Sequence, residues 1–346
     1  SIILPKRICM SGKFFAKLFI LFVTYLFVCA IIYFVSYFAL VKKIFIDMPA
    51  FRAVQKSLYY GPYLEVWQNK HDCITYDEEL IYVPKIGACR HKNAEFDVTL
   101  NFTKSGRLMP KIKNKNIKPI IVLGDSVAMG WGVNDNETFS YVLQNLSKTP
   151  VYNLAVSSYG TVREVIRLEK SGLLEKSDII IIQYHENDLK ENLNFSKLKK
   201  NEYLNIFSKM TSSSLSADAL DIKQILRSYK SSLRLIFTNI TGFFIKKRTE
   251  ENFDPHYKPL IESIKKIKNY REKKIIIFYS DSPQFRFRNF PNGYDKENLN
   301  IYFHSIFDIE FYKENYFYLD RHPNNLGHKK IGENLYNILK TNLLIN

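Results

Sequence analysis

Four short stretches of this 346-residue chain hold side chains that could act together on an ester. Gly124-Asp125-Ser126 follows the apolar run Ile120-Ile121-Val122-Leu123. A serine hydroxyl is a weak nucleophile, so it needs a base, a group that orients the base, and donors for a developing oxyanion. Of seven histidines, His322 has the right company, because Asp320 stands two residues before it in YLDRHPNNLGHKK. The stretch AVSSYGT supplies Gly160, whose backbone amide can approach a ligand closely. YHENDL supplies the side-chain amide of Asn187. The expected set is therefore Ser126 as nucleophile, His322 as base and Asp320 as its orienting carboxylate. Ser126, Gly160 and Asn187 are the expected oxyanion donors.

These residues need a frame that brings distant parts of the chain to one edge. Short apolar runs at 120–123, 151–154, 178–184 and 274–279 are expected strands. Helical patterns follow at 136–146, 161–172, 259–270 and 325–343, with a further helix expected near 297–306 and a short strand at 317–319. Such alternation predicts an α/β fold: a three-layer α/β/α arrangement on a mainly parallel, flavodoxin-like sheet. In such sheets ligands bind at the carboxyl ends of the strands, which is where Ser126, Gly160 and Asn187 fall.

With those blocks in place, the chain resembles the SGNH hydrolase superfamily of GDSL-type esterases and acyl-transfer enzymes. Gly124-Asp125-Ser126 with Gly130 and Gly132 matches its nucleophile block, and Asn153-Leu154 through Gly160 its glycine block. Asn187-Asp188 matches the asparagine block, and Asp320, His322, Pro323 and Asn324 the last. The resemblance covers about 118–346, with an interruption. Two departures stand out. His185 occupies the place of the glycine in Gly-x-Asn-Asp, and the usual Asp-x-x-His is Asp320-x-His322. His185 is a candidate substrate contact or a structural residue. Trp131, beside the nucleophile, lines a pocket or packs. Asp125 and Asp188 are expected to brace turns or cap helices. An α/β-hydrolase elbow fits less well, since Gly124-x-Ser126-x-Ala128 lacks the second glycine.

The rest of the chain concerns attachment. Residues 1–17 form a basic tail, and 18–41 are 24 residues without a charge, long enough to cross a hydrocarbon core of about 30 Å. A cleaved signal peptide would have a shorter apolar stretch ending in small residues, so an uncleaved single-pass anchor is expected. Four Lys/Arg on either side leave the orientation undecided. A loop-rich stem is expected at 42–116. Within it Cys73 and Cys89 are either a disulfide, which requires an oxidising compartment, or two buried thiols. An SGNH-like domain follows at 117–346, with a basic insertion at about 195–255 whose role as interfacial helix, lid, docking surface or plain helix stays open.

The formal charge is +16, from 50 Lys/Arg against 34 Asp/Glu, with 18 against 8 between Phe195 and Ile275. No nucleic-acid motif accompanies this charge, so nucleic acid is excluded as a partner. No Cys/His cluster has zinc-site spacing, and neither a metal nor another cofactor is expected.

Together these readings predict a membrane-tethered serine esterase or O-acyltransferase. The resemblance implies acyl, chiefly acetyl, esters of cell-envelope glycans as substrates, with the catalytic domain outside the cytoplasmic membrane. It also implies, for some members, a multi-spanning membrane acyltransferase as partner. The alternative is a catalytically silent glycan-binding or scaffolding subunit of an envelope assembly. Hydrolysis and transfer share an acyl-enzyme, so these residues do not separate them.

Overall fold

The run Ile120–Leu123 is buried at every position, as a strand covered on both faces must be. In the computed structural model of the chain it lies inside a nine-stranded sheet. Residues 12–60, 65–112, 117–212, 229–230, 232–237, 249–280, 285–306, 314–342 and 344–345 are described. Much of the basic insertion and residues 1–11 of the tail lie outside them.

The chain divides into two units, 1–63 with 220–246, and 64–219 with 247–346. In the first unit the helix Gly12–Val41 is apolar along almost its whole length. It is long and apolar enough to cross a membrane by length and composition. A second helix, Pro49–Leu58, follows it. There the Gln55 side chain accepts from the Ile46 amide (3.0 Å) and donates to the Ile44 carbonyl (2.7 Å), fixing the turn between the helices. The described residues of 229–237 lie against the long helix, with Tyr25 Oη donating to the Leu233 carbonyl at 2.8 Å.

The second unit carries the sheet. In chain order its strands are β1 (Ile74–Asp77), β2 (Ile81–Pro84), β3 (Gly87–Lys92), β4 (Asp97–Thr103), β5 (Gly106–Arg107), β6 (Ile120–Leu123) and β7 (Val151–Asn153). After these come β8 (Ile179–Gln183), β9 (Thr249–Asn252), β10 (Lys274–Ser280), β11 (Phe285–Arg288), β12 (Gly293–Tyr294) and β13 (Ile301–Ile306). The large sheet has the order β12-β13-β10-β8-β6-β7-β5-β4-β3. Its centre, β13-β10-β8-β6-β7, is parallel. Both flanks are antiparallel: β12 on one side, and β5, β4 and β3 on the other. The sheet is therefore mixed, which corrects the expectation of a mainly parallel one. The physical reason is that residues 87–107, which lack a long apolar run, form a meander that continues the sheet past β7.

Alternation along the central strands feeds two cores. Ile120, Val122, Ile181, Ile276 and Phe278 pack with Phe139 and Leu143 of helix Phe139–Ser147 and with Ile331 and Leu335 of helix Asn325–Thr341. Ile121, Leu123, Ile180, Ile182 and Ile277 pack with Val165 and Leu168 of helix Thr161–Ser171 and with Leu260 and Ile264 of helix Asp254–Ile264. Helices thus cover both faces of the parallel centre.

Two local expectations also fail. Residues 301–306 form the strand β13 where a helix was expected, because Ile301 and Phe303 are buried while Tyr302 and His304 are less so, a period of two. Residues 317–319 belong to a turn rather than a strand, closed by an isolated bridge between Tyr316 and Pro323.

Candidate active site

Ser126 opens a one-turn helix, Ser126–Met129, at the carboxyl end of β6. The Asp125 carboxylate caps this helix by accepting from the Val127 amide at 2.9 Å. Gly124 has a φ of +146°, and a Cβ there would stand 2.6 Å from that of Ala128, so the sharp turn needs glycine. Three neighbouring side chains hold the turn by its backbone. Gln183 Oε1, from β8, accepts from the amides of Asp125 and Ala128, both at 3.3 Å. Asn153 Nδ2, from β7, donates to the Ala128 carbonyl at 2.7 Å.

Arg107, from β5, is fully buried and donates to the carbonyls of Met129 (2.6 Å), Gly130 (2.9 Å) and Val133 (2.7 Å). Its charge is balanced by Asp135 at 2.6 Å. A cation is well placed at the carboxyl end of the nucleophile's helix, where unpaired carbonyls gather.

The expected base comes from a distant part of the chain. His322 Nε2 lies 2.8 Å from Ser126 Oγ. His322 Nδ1 lies 2.5 Å from Asp320 Oδ1. A carboxylate only accepts, so Nδ1 carries the proton, and Nε2 is left to take one from the hydroxyl. The two-residue spacing works because Arg321 sits at φ +73°, in the left-handed region, which folds Asp320 back onto the ring. Asp320 is 2% exposed and His322 26%, so the carboxylate is sealed while the imidazole meets solvent.

Trp131 is buried and serves both partners. Its ring stacks on His322, with centroids 5.0 Å apart and planes at 19°, and its Nε1–H donates to Asp320 Oδ2 at 3.2 Å. The Trp131 side chain is thus packed on the His322–Asp320 pair. Behind it the ring of His91, from β3, meets Trp131 edge-on at 4.5 Å. Burial pulls the His91 imidazole down to about 4, so it is neutral near pH 7 and donates Nε2–H to the Glu65 carbonyl at 2.9 Å. Glu95, between β3 and β4, accepts from the amides of Leu319 (2.8 Å) and Asp320 (2.7 Å). Burial pushes its carboxyl up to about 7 against those two hydrogen bonds.

The expected oxyanion donors occupy three successive strand ends. Ser126 N–H is at the first position of its helix, Gly160 is the N-cap of helix Thr161–Ser171, and Asn187 is the N-cap of helix Asp188–Lys197. Among the described residues, no hydrogen-bond acceptor is found for the Ser126 amide, the Gly160 amide or Asn187 Nδ2. Gly160 is also close to the third block: a Cβ there would stand 2.6 Å from Asn192 Oδ1. His185 is beside Asn187, with Nδ1 2.8 Å from Asn187 Oδ1 and Nε2 2.9 Å from Glu186 Oε2.

An acidic group lies beneath these loops. Glu164 and Asp188 are buried, and the Glu164 oxygens have no hydrogen-bond partner among the described residues. Burial, with Asp125 as a like charge, pushes the Glu164 carboxyl well above the ordinary range. Burial, with Glu164 and Asp125, pushes the Asp188 carboxyl up in the same way, while the nearby His185 pulls it back down.

Cys73 and Cys89 are joined as a disulfide, with Cα atoms 5.2 Å apart. Among the described residues no cluster of three or more His, Cys, Asp or Glu side chains is arranged to hold a metal ion.

Sequence reasoning missed Arg107, Glu95, His91 and Gln183. Arg107 follows Gly106 in a two-residue strand, and Glu95 lies in a polar loop, so neither carries a local signal. Gln183 ends the clearest strand in the chain, and a polar residue at a buried strand end was the available clue.

The sequence matches no family model, and no curated protein matches it significantly. Among solved structures, it is similar to a lipolytic protein of the G-D-S-L family from Desulfitobacterium hafniense DCB-2, at 16% identity and a TM-score of 0.34, over 64% of this chain and 99% of that one. It is also similar to a carbohydrate esterase family 2 enzyme from Corynascus thermopiles (Myceliophthora fergusii), at 13% identity and a TM-score of 0.32, over 69% and 70%. A third is TesA, at 12% identity and a TM-score of 0.27, over 64% and 98%.

Proposed function

We propose that the chain is a membrane-tethered serine esterase or O-acyltransferase that works through an acyl-enzyme on Ser126. The observation that carries this reading is the line of contacts Ser126 Oγ–His322 Nε2 and His322 Nδ1–Asp320 Oδ1, at 2.8 and 2.5 Å. Residues 194 and 196 positions from Ser126 along the chain meet it in the order that acyl transfer requires.

Each step follows from an atom in that line. Ser126 Oγ attacks the ester carbonyl while His322 Nε2 takes its proton. The carbonyl oxygen becomes an oxyanion beside the Ser126 and Gly160 amides and the Asn187 carboxamide. Asp320 holds the ring's tautomer and stabilises the imidazolium. His322 then returns the proton to the leaving alkoxide, whose bond to the carbonyl carbon breaks, leaving Ser126 acylated. Water or a sugar hydroxyl, deprotonated by His322, releases the acyl group as a free acid or as a new ester.

Acetyl esters of cell-envelope glycans are the substrates the motif resemblance supports. The apolar helix Gly12–Val41 supports tethering through 18–41, and the Cys73–Cys89 bridge supports an extracytoplasmic domain. A multi-spanning acyltransferase partner rests on the resemblance alone.

The test is the full chain in detergent with p-nitrophenyl acetate, with and without glycan acceptors. Ester cleavage that disappears in Ser126→Ala is expected, with a loss of at least about 10⁴-fold. Acetate release unaffected by acceptors indicates hydrolysis, and acetylated acceptor indicates transfer. Full activity in Ser126→Ala contradicts the mechanism.

A further inference from the structure

Asn187 ought to cap its own helix. Asparagine is among the preferred N-cap residues because its side-chain oxygen accepts an orphan amide of the first turn. Asn187 is the N-cap of Asp188–Lys197, yet its side chain makes no capping bond. Its Oδ1 is engaged instead by the ring of His185, at 2.8 Å. We propose that His185 is a positioning residue: its Nδ1–H holds the Asn187 carboxamide by the oxygen, so that the amide's N–H groups are presented to the oxyanion. This rests on the reading of Ser126 as nucleophile and goes beyond it by assigning what orients the third donor.

The argument turns on which group donates. An Asn carboxamide offers an oxygen on one side and an NH₂ on the other, and a neutral imidazole could face either. An imidazolium has two N–H groups and no acceptor, so it can face only the oxygen. His185 is held in that form. Burial pulls its pKa down, but Glu186 at 2.9 Å, with Asp125 and Asp188, outweighs this and pushes it up to about 10. The Glu186 carboxylate thus stands 2.9 Å from Nε2 as a charge partner without hydrogen-bond alignment, and Nδ1, at 2.8 Å, donates to Asn187 Oδ1, so the oxygen of the amide is the side that faces the ring. The His185 amide is itself tied to Asp188 Oδ2 at 3.4 Å, which fixes the ring's starting point. A glycine at this position could supply neither the clamp nor the adjacent positive charge.

The experiment is a double-mutant cycle on the full chain, with p-nitrophenyl acetate as the probe. Asn187→Ala is expected to lower kcat about 100-fold, as loss of one oxyanion donor does. His185→Ala is expected to lower kcat about tenfold with KM within about twofold, because the donor acts in the transition state and not on bound substrate. In the Asn187→Ala background the His185 substitution should cost nothing further, since there is no carboxamide left to orient. His185→Asn should restore most of the rate, because its Nδ2 hangs from Cγ as Nδ1 does and can donate to the same oxygen. His185→Leu, of similar bulk and without a donor, should fall with alanine, and it supplies the comparison if the alanine variant does not fold. Additive losses in the double variant, a KM rise with unchanged kcat, or a fully active His185→Leu would overturn the assignment. If Ser126→Ala keeps its activity, the nucleophile reading falls and this one with it. If Ser126→Ala is dead while His185→Leu matches the wild type, the His185 assignment alone falls.

Discussion

The parallel centre of the sheet and its antiparallel extension divide the work of the site unequally. Every group that would touch a substrate comes from the parallel half or from the loop before its last helix: Ser126 after β6, Gly160 after β7, Asn187 after β8, and His322. The extension contributes no reacting atom, yet it holds the reacting loops in place. Arg107 on β5 grips the carbonyls behind the nucleophile, Glu95 grips the amides before His322, and His91 on β3 backs Trp131. On the proposed mechanism the strand ends would deliver the chemistry, while the meander beside them holds their loops by hydrogen bonds. Residues 87–107 are on this view part of the catalytic body rather than a spacer.

The contrast can be broken first at Arg107. Arg107→Met leaves Asp135 without its cationic partner and takes the guanidinium donors from the carbonyls of Met129, Gly130 and Val133, and should cost about 3–5 kcal/mol. Arg90→Met, which removes an exposed ion pair with Asp97 on the same meander, should cost less than about 1 kcal/mol. Urea unfolding followed by tryptophan fluorescence reads both, because both tryptophans, Trp67 and Trp131, belong to the sheet unit. Equal costs would remove the special place given to Arg107.

A smaller effect is expected at Glu95. Glu95→Ala strips the acceptor from two amides of the His322 loop and should cost about 1–3 kcal/mol. The rate of ester cleavage should fall with it while the nucleophile turn stays folded. A variant with full activity would confine Glu95 to packing.

A pH-dependent effect sharpens the comparison from the parallel side, at Glu164. Its carboxyl has a raised pKa, so the folded state keeps a proton that the unfolded chain releases. The stabilisation is complete below the ordinary value of 4.5 and is lost as pH rises toward the folded value. Glu164→Gln has no proton to lose. Its unfolding free energy relative to wild type should therefore improve with pH, by up to about 1.4 kcal/mol per pH unit above that value. Parallel pH profiles for variant and wild type would show that Glu164 is ionised in the folded protein.

The sequence carried the parallel half openly. Runs such as Ile179–Ile182 and Lys274–Phe278 can hardly be anything but buried strands, and each motif block stands directly after one. The extension was hidden because its strands are short and polar at alternate positions. Gly87–Lys92, GACRHK, buries only Cys89 and His91, and such a strand becomes legible only beside its partner. The strand β13 was misread for a related reason: six residues of mixed character fit either period, and pairing with β10 decides between them. Asp320 could be suspected from its spacing. The left-handed Arg321 that lets it reach His322 could not, since nothing local announces a positive φ at arginine.

The central claim is that His322 activates Ser126. A fluorophosphonate probe forms a covalent adduct with an activated serine, and its rate can be followed by intact mass. The account predicts one adduct, located at Ser126 by peptide mapping, that forms at least about 100-fold more slowly in His322→Ala, as expected when a general base is lost. Labelling of His322→Ala at the wild-type rate, or an adduct on any other residue, would contradict it.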